Sequence, residues 1–374
     1  LAIFGLPFAL CVMSVIKANH IKSKSEVYFE VFSWKLGLPA FIFSGLLSIF
    51  YILLYWYPEL LVPHVALFDE LSGLLRNKVA DRWFVYGVLY TTAVGILGIR
   101  SLFRYRHNKY LVYRTVSVMF FQLVFAFSLP LLLAKLSLPE VDLKNSWPLD
   151  YYLFSKWKLD SLLENTSAKA VLTWLLVLAF LVVPYLTYRF GKRWYCSWVC
   201  GCGGLAETGG DAFRHLSIKS RRAWRLERFS IYSVLIVVVV MSLLQVLSYF
   251  LEDNVWLSGV SGQISKFYGF VIGAAFSGVI GTGLYPILGG RVWCRFGCPL
   301  AAIMGIIQVR KSKFQITTNG GQCISCGNCS THCEMGIDVR SYAQKGENIK
   351  RASCVGCGIC ADVCPRGVLR LENL

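Results

Sequence analysis

The chain has 374 residues, 56% of them hydrophobic and only 16% charged, where soluble domains carry roughly 25% charge. With a mean hydropathy of +0.54, this composition excludes an ordinary soluble protein and reads as a membrane protein. The net charge of +17 is assigned to basic loops that fix topology, and with no nucleic-acid-binding module visible, nucleic acid is excluded as a partner.

Seven apolar segments reach or approach the length needed to cross a hydrocarbon core of about 30 Å. They are Leu1–Ile16, Leu36–Tyr57, Trp83–Ile99, Thr115–Leu133, Ala170–Tyr188, Phe229–Leu251 and Tyr268–Leu288. Leu1 lies inside the first run, which predicts a processed chain or a piece of a longer product. No basic stretch or cleavage site marks the run as a signal peptide. Alternate loops are basic: Lys17, Lys22 and Lys24; then Arg100, Arg104, Arg106, Lys109 and Arg114; then Arg189 to Arg228, including Lys192 and Arg214. The loops between them are richer in acid, with Glu140, Asp142, Asp150, Asp160 and Glu164, then Glu252 and Asp253. The positive-inside rule places the basic set in the cytoplasm, as in a multi-pass protein of the bacterial inner membrane. The C-terminal tail falls on the same side and Leu1 falls outside.

In the outer loops, Val65–Ala80 has helical amphipathic spacing, which fits a membrane-surface helix or a helix packed on the spans. Trp147, Tyr151, Tyr152 and Trp157 read as interfacial aromatic residues. No Asp, Glu, Lys, Arg or His stands near the middle of a span, which argues against a pump. His20, His64, His107, His215 and His332 fall in loops or the tail, so the spans offer no bis-histidine haem. Pro130, Pro184 and Pro286 predict kinks. Gly269, Gly273, Gly278, Gly281 and Gly283 predict that the last span packs closely.

Six of the 14 cysteines lie outside the tail. Cys11 is alone in the first span and reads as packing. Two pairs stand at matching places. Gly191-Lys-Arg-Trp-Tyr-Cys196-Ser-Trp-Val-Cys200-Gly follows the fifth span, and Gly289-Gly-Arg-Val-Trp-Cys294-Arg-Phe-Gly-Cys298-Pro follows the seventh. This small internal repeat predicts two similarly built helix ends facing a shared site. A Cys-x-x-x-Cys pair puts both sulfurs on one side of a turn. Two pairs give four thiolates, enough for one cubane, and whether they share one iron–sulfur cluster or hold one each stays open. Cys202 is a fifth candidate ligand.

The tail carries Cys323-x-x-Cys326-x-x-Cys329-x-x-x-Cys333 and Cys354-x-x-Cys357-x-x-Cys360-x-x-x-Cys364-Pro365. This is the spacing of a two-cluster bacterial ferredoxin. On its wiring Cys323, Cys326, Cys329 and Cys364 hold one [4Fe–4S] cluster, and Cys354, Cys357, Cys360 and Cys333 hold the other. Disulfides rarely repeat one spacing, and zinc takes pairs rather than triplets with a trailing fourth. Glu334 stands after Cys333 where the second run has proline, a departure in the first half. The expected fold is a membrane all-α bundle of about seven transmembrane helices (residues 1–310) with a C-terminal α+β two-cluster ferredoxin-like domain (residues 311–374).

The spans, the two Cys-x-x-x-Cys motifs and the tail together resemble the NosR/NapH family of membrane polyferredoxins. The matched residues are Cys196, Cys200, Cys294, Cys298, Pro299 and the eight tail cysteines; Gly201 and Cys202 stand where the family has proline after Cys200. The resemblance implies electron transfer between the quinone pool, cytoplasmic clusters and a periplasmic partner. Implied partners are the membrane, other redox subunits or a soluble carrier, and quinone. NosR-type members carry a flavin domain ahead of the first span. No Ser-Gly-Ala-Thr attachment sequence occurs here, so FMN is expected only in a part preceding Leu1. The rival class is an assembly or maturation factor that uses the same clusters to reduce a metal or thiol of another enzyme.

Overall fold

The computed structural model describes residues 34–136, 140–251 and 255–374. The expected span Leu1–Ile16, with Cys11 and His20, lies outside the described residues. Among them, five helices are long and apolar enough to cross a membrane: α3 (Arg82–Arg104), α4 (Lys109–Lys135), α6 (Thr166–Phe190), α8 (Arg221–Phe250) and α9 (Trp256–Gly283). The segment read as a simple span at Leu36–Tyr57 is α1 (Trp34–Trp56). Its described part, Ile42–Trp56, is followed by a helical stretch Pro58–Arg76 bent by 111°, so the pair counts as a sixth span only as a broken one. The described residues therefore give five or six spans where seven were expected of the whole chain. Proline at 58 lacks the N–H that would continue the helix, which explains the break. The amphipathic stretch becomes short turns and α2 (Asp69–Arg76).

Polar caps mark where spans begin. Asp81 accepts a hydrogen bond from the Phe84 N–H at 2.8 Å, Asn108 from Tyr110 at 3.0 Å, and Ser220 from Ala223 at 3.1 Å. Such caps satisfy backbone donors that have no partner within the helix. Pro130 and Pro184 do not break their helices sharply. A π-helical stretch precedes each, at Phe121–Ser128 and Leu178–Val182, and the wider turn accommodates the missing N–H and the proline ring.

The glycines of α9 admit neighbours that a side chain would exclude. A Cβ on Gly273 would lie 2.6 Å from the Tyr151 hydroxyl, and one on Gly278 would lie 2.9 Å from the Tyr51 ring. One on Gly283 would lie 2.7 Å from Ser48 of α1. Tyr151, read from sequence as an interfacial residue, thus packs on the glycine face of a span. Further short helices include α5 (Lys156–Leu163), α7 (Gly201–Thr208) and α10 (Pro299–Arg310).

Beyond α10 the chain forms a small α+β unit. Strands β1 (Phe314–Thr318) and β2 (Leu369–Asn373) pair antiparallel, from Phe314 opposite Asn373 to Thr318 opposite Leu369. Tail and membrane domain share one core. Tyr195, Val199, Leu300 and Met304 cluster with Phe314, Ile316, Met335, Val355 and Val368. Arg193 stacks over the Phe314 ring at 4.5 Å. The core thus runs continuously across residue 310.

Replacing Gly273 with Leu should force Tyr151 off α9 and cost about 1–3 kcal/mol. Thermal unfolding in detergent checks this; an unchanged midpoint would contradict the packing.

Candidate metal centres

The two membrane-end motifs fold alike. Gly191 (φ 69°) ends α6, and Gly289 (φ 90°) ends the short helix Tyr285–Leu288. Positive φ is cheap only for glycine, which fits its place in both motifs. The Cys200 N–H donates to the Tyr195 carbonyl at 2.8 Å, and the Cys298 N–H to the Trp293 carbonyl at 3.0 Å. Each of these second cysteines then caps a helix, Cys200 that of α7 and Cys298 that of α10. The Ala301 N–H points at the Cys298 sulfur at 3.4 Å, and the Gly203 N–H bonds to that of Cys200. Helix N-termini favour thiolate over thiol, but at Cys298 burial outweighs the Ala301 N–H and pushes the thiol well up.

The two motifs meet. Arg291 reaches both the Cys196 carbonyl at 2.9 Å and Cys294 Sγ at 3.7 Å, and Cys196, Cys200 and Cys298 pack in one core. Burial pushes the Cys196 thiol up to about 12, with Lys192 opposing. Cys200 is pulled down to about 6, chiefly by its hydrogen bond with Cys202 and against burial. Cys202 is exposed and borders the group as the partner of Cys200.

The two tail runs also share a conformation. Ser325 and Gly356 have φ of 59° and 61°, Gly327 and Gly358 of 80° and 87°, and Gly336 and Gly367 of 66° and 61°. In Cys-x-x-Cys-Gly turns of this kind the backbone curls round the sulfurs. Cys329 feels Cys326, Cys364 and Cys323, while Cys360 feels Cys357, Cys354, Cys333 and Cys329. Burial raises Cys329 and Cys354 to about 11 each, so these thiols stay protonated at neutral pH unless a cation draws off the proton. The sulfur-rich sets, free of disulfides among the described cysteines, fit iron–sulfur ligation.

The three groups grade inward. Cys326 is exposed, Cys323 and Cys364 are partly buried, and Cys329 is buried. Cys354 and Cys360 are buried, as are Cys196, Cys294 and Cys298. Direct bonds tie the second group to the third: Ser197 Oγ donates to the Val355 carbonyl at 2.8 Å, and Gln308 Nε2 to the Cys354 carbonyl at 2.8 Å. Lys192, buried, donates to the Ala352 carbonyl at 3.1 Å, and its charge acts on Cys196, Cys294 and Cys354 alike.

Sequence reasoning missed the structure between these groups. Glu334 is fully buried. Its oxygens pair with Arg291 Nε and Arg214 Nη1, each at 2.9 Å. Glu207 of α7 pairs with Arg114 at 3.0 Å and with Arg214 and Arg291. Asp211 receives Arg214 at 2.6 Å, Arg104 at 2.6 Å and the Tyr105 hydroxyl at 2.7 Å. Burial opposes ionisation of Glu207, but Arg114, Arg214 and Arg291 overcome it and hold its carboxyl well below the usual range. Arg291 also donates to the Cys196 carbonyl at 2.9 Å and points at Cys294 Sγ at 3.7 Å, while Arg114 donates to the Cys357 carbonyl. Arg104, Arg114 and Arg214, read from sequence as loop charges, are structural pairs. The one sequence signal was the departure at Glu334, where the second run has Pro365. Glu207, Glu334 and Cys357 also come within 4.8 Å of one another, but the arginines engage both carboxylates, so this group reads as an ion network.

Replacing Glu334 with Ala would strand Arg291 and Arg214 in the interior, a loss of about 3–5 kcal/mol. The tail should then become protease-sensitive while the spans stay intact. Limited proteolysis checks this, and wild-type resistance would contradict it.

Comparison with known proteins finds iron–sulfur domains over the same stretches of chain. A model described as a 4Fe-4S dicluster domain matches residues 322–369, which contain all eight tail cysteines. A model described as a 4Fe-4S binding domain matches residues 171–225 and 271–317, which contain the two Cys-x-x-x-Cys motifs. The chain is similar to a protein of Escherichia coli strain K12 named for electron transport, YccM, at 28% identity over 46% of this chain and 48% of that protein. It is also similar to an uncharacterized protein of Methanocaldococcus jannaschii, at 27% identity over 47% of this chain and 72% of that protein. The match thus spans about half the length of the first relative. No solved structure matches significantly. The chain carries 4Fe–4S binding domains on a scaffold of apolar helices, and one relative is named for electron transport.

Proposed function

We propose that the chain is a membrane-bound electron-transfer protein with three [4Fe–4S] sites. Cys323, Cys326, Cys329 and Cys364 form the first, and Cys354, Cys357, Cys360 and Cys333 the second. Cys196, Cys200, Cys294 and Cys298 form a third, shared by the two Cys-x-x-x-Cys motifs, with Cys202 as the hydrogen-bond partner of Cys200. The observation that carries this reading is the convergence of all four membrane-end thiols beside the buried tail run. Two separate membrane-end clusters would need the motifs to stand apart.

Bound in these sites, iron–sulfur clusters supply one-electron storage and transfer. The protein's own part is positional. The partly exposed first group gives a soluble carrier or another redox subunit access. The second and third groups are more buried than the first, and Ser197 and Gln308 hold them side by side. Lys192 and Arg291 place positive charge beside the sulfurs, which favours thiolate ligands and added electrons. The third site lies at the end of the spans, where quinone or a membrane redox partner exchanges electrons. Basic loops support an inner-membrane topology with the tail in the cytoplasm. The cysteine pattern and spans support a protein of NosR/NapH type.

Reconstituted protein should contain about twelve iron and twelve acid-labile sulfide per chain, where tail clusters alone would give about eight. Cys294→Ala should lose about four of each and leave the tail spectra unchanged. Unchanged iron in that variant would contradict the third site.

A further inference from the structure

A cavity of about 410 Å³ opens where the start of α8 meets α10 and the loop ahead of Cys354. Its floor is apolar, with Ile231 of α8 and Ala302, Gly305 and Ile306 of α10. Its rim is cationic, with Arg228, Arg310 and Lys350, and its inner wall includes Lys192 and Cys294. Six basic side chains line it against one carboxylate, Glu227. That carboxylate is already engaged by Arg295 and the Ser353 hydroxyl. Among the described residues, no ion pair neutralises Arg228, Arg310, Lys350 or Lys192. Trp224 lies at the mouth, with Arg228 over its ring at 5.0 Å and Arg351 over it at 5.2 Å.

An apolar cavity with a surplus of cations attracts an anion, because its walls screen the charges poorly. The floor specifies more than a free anion. Ile231 and Tyr232 begin the apolar run of a membrane span, so the cavity opens along a helix that continues into the bilayer. Basic pockets at the water-facing ends of spans suit acidic lipid headgroups. Uncharged quinone would leave the cations without a counter-charge.

We propose that this cavity holds the phosphate headgroup of an anionic phospholipid, with an acyl chain along α8 and α10. Arg228, Arg310 and Lys350 hold the phosphate, and the lipid lies against Cys294. The bound negative charge therefore lowers the reduction potential of a centre held by Cys294. Binding stands on the cavity alone; the potential shift rests on the third site proposed above.

The test is extraction of lipids and quinones from the full chain purified in mild detergent. Wild-type protein should retain about one anionic phospholipid per chain, enriched over neutral lipid. The pair Arg228→Ala and Lys350→Ala should bind roughly thirtyfold more weakly and lose the lipid at unchanged iron content and elution position. The pair Arg228→Lys and Lys350→Arg should keep it. Lack of enrichment, quinone in place of phospholipid, or full retention by the alanine pair overturns the proposal. So does equal thermal stabilisation of delipidated protein by inorganic phosphate and by short-chain phosphatidylglycerol, which would mark a free-anion site. An EPR-monitored redox titration separates the two readings. Lipid retained without a fall in midpoint potential upholds the lipid site and overturns the placement of a cluster at Cys294.

Discussion

The structure depends on a buried ion network centred on Glu334. One carboxylate from the tail meets two guanidiniums from the membrane domain, and Glu207, Asp211, Arg114 and Arg104 extend the pairing through four segments of chain. Burying charges costs several kcal/mol per ion, and mutual attraction repays it only when every partner is in place. Such a network adds little net stability over apolar packing, yet it penalises any other docking of the tail. Three carboxylates face four guanidiniums here.

That constraint organises everything around it. Arg291 is the hinge of the arrangement: one side chain engages Glu334, Glu207, the Cys196 carbonyl and the edge of Cys294. Arg114 likewise reaches from α4 to both Glu207 and the Cys357 carbonyl. The positions of the second and third thiol groups are therefore set by the same few arginines. Membrane helices and tail behave as one packed body through the core that joins Met304, Phe314 and Val355. The proposed electron transfer needs that rigidity, because transfer weakens steeply as centres separate.

Much of this was legible in the sequence, for identifiable reasons. Cysteine spacing reports local turns, and Ser325, Gly327, Gly356 and Gly358 adopt the left-handed turns that such spacing requires. The paired motifs after Gly191 and Gly289 report a repeated helix end. Apolar runs report spans, although proline at 58 turned one of them into a bent pair. Long-range pairing was not legible. Glu207 sits in a stretch of small residues, and Arg214 lies in a run that looks like a basic loop; only the fold brings them together. Glu334 was visible as a departure from proline, but its meaning lay in Arg291, 43 positions away. Which cysteines converge across the two motifs was equally a property of the fold.

The central claim is that the membrane-end thiols and the buried tail run hold clusters as neighbours in one rigid body. EPR spectroscopy of the fully reduced protein tests it most directly. The account predicts split or broadened signals from magnetic interaction between the centre at Cys196, Cys200, Cys294 and Cys298 and the centre at Cys354, Cys357, Cys360 and Cys333. A spectrum that is a simple sum of independent, non-interacting centres would contradict it.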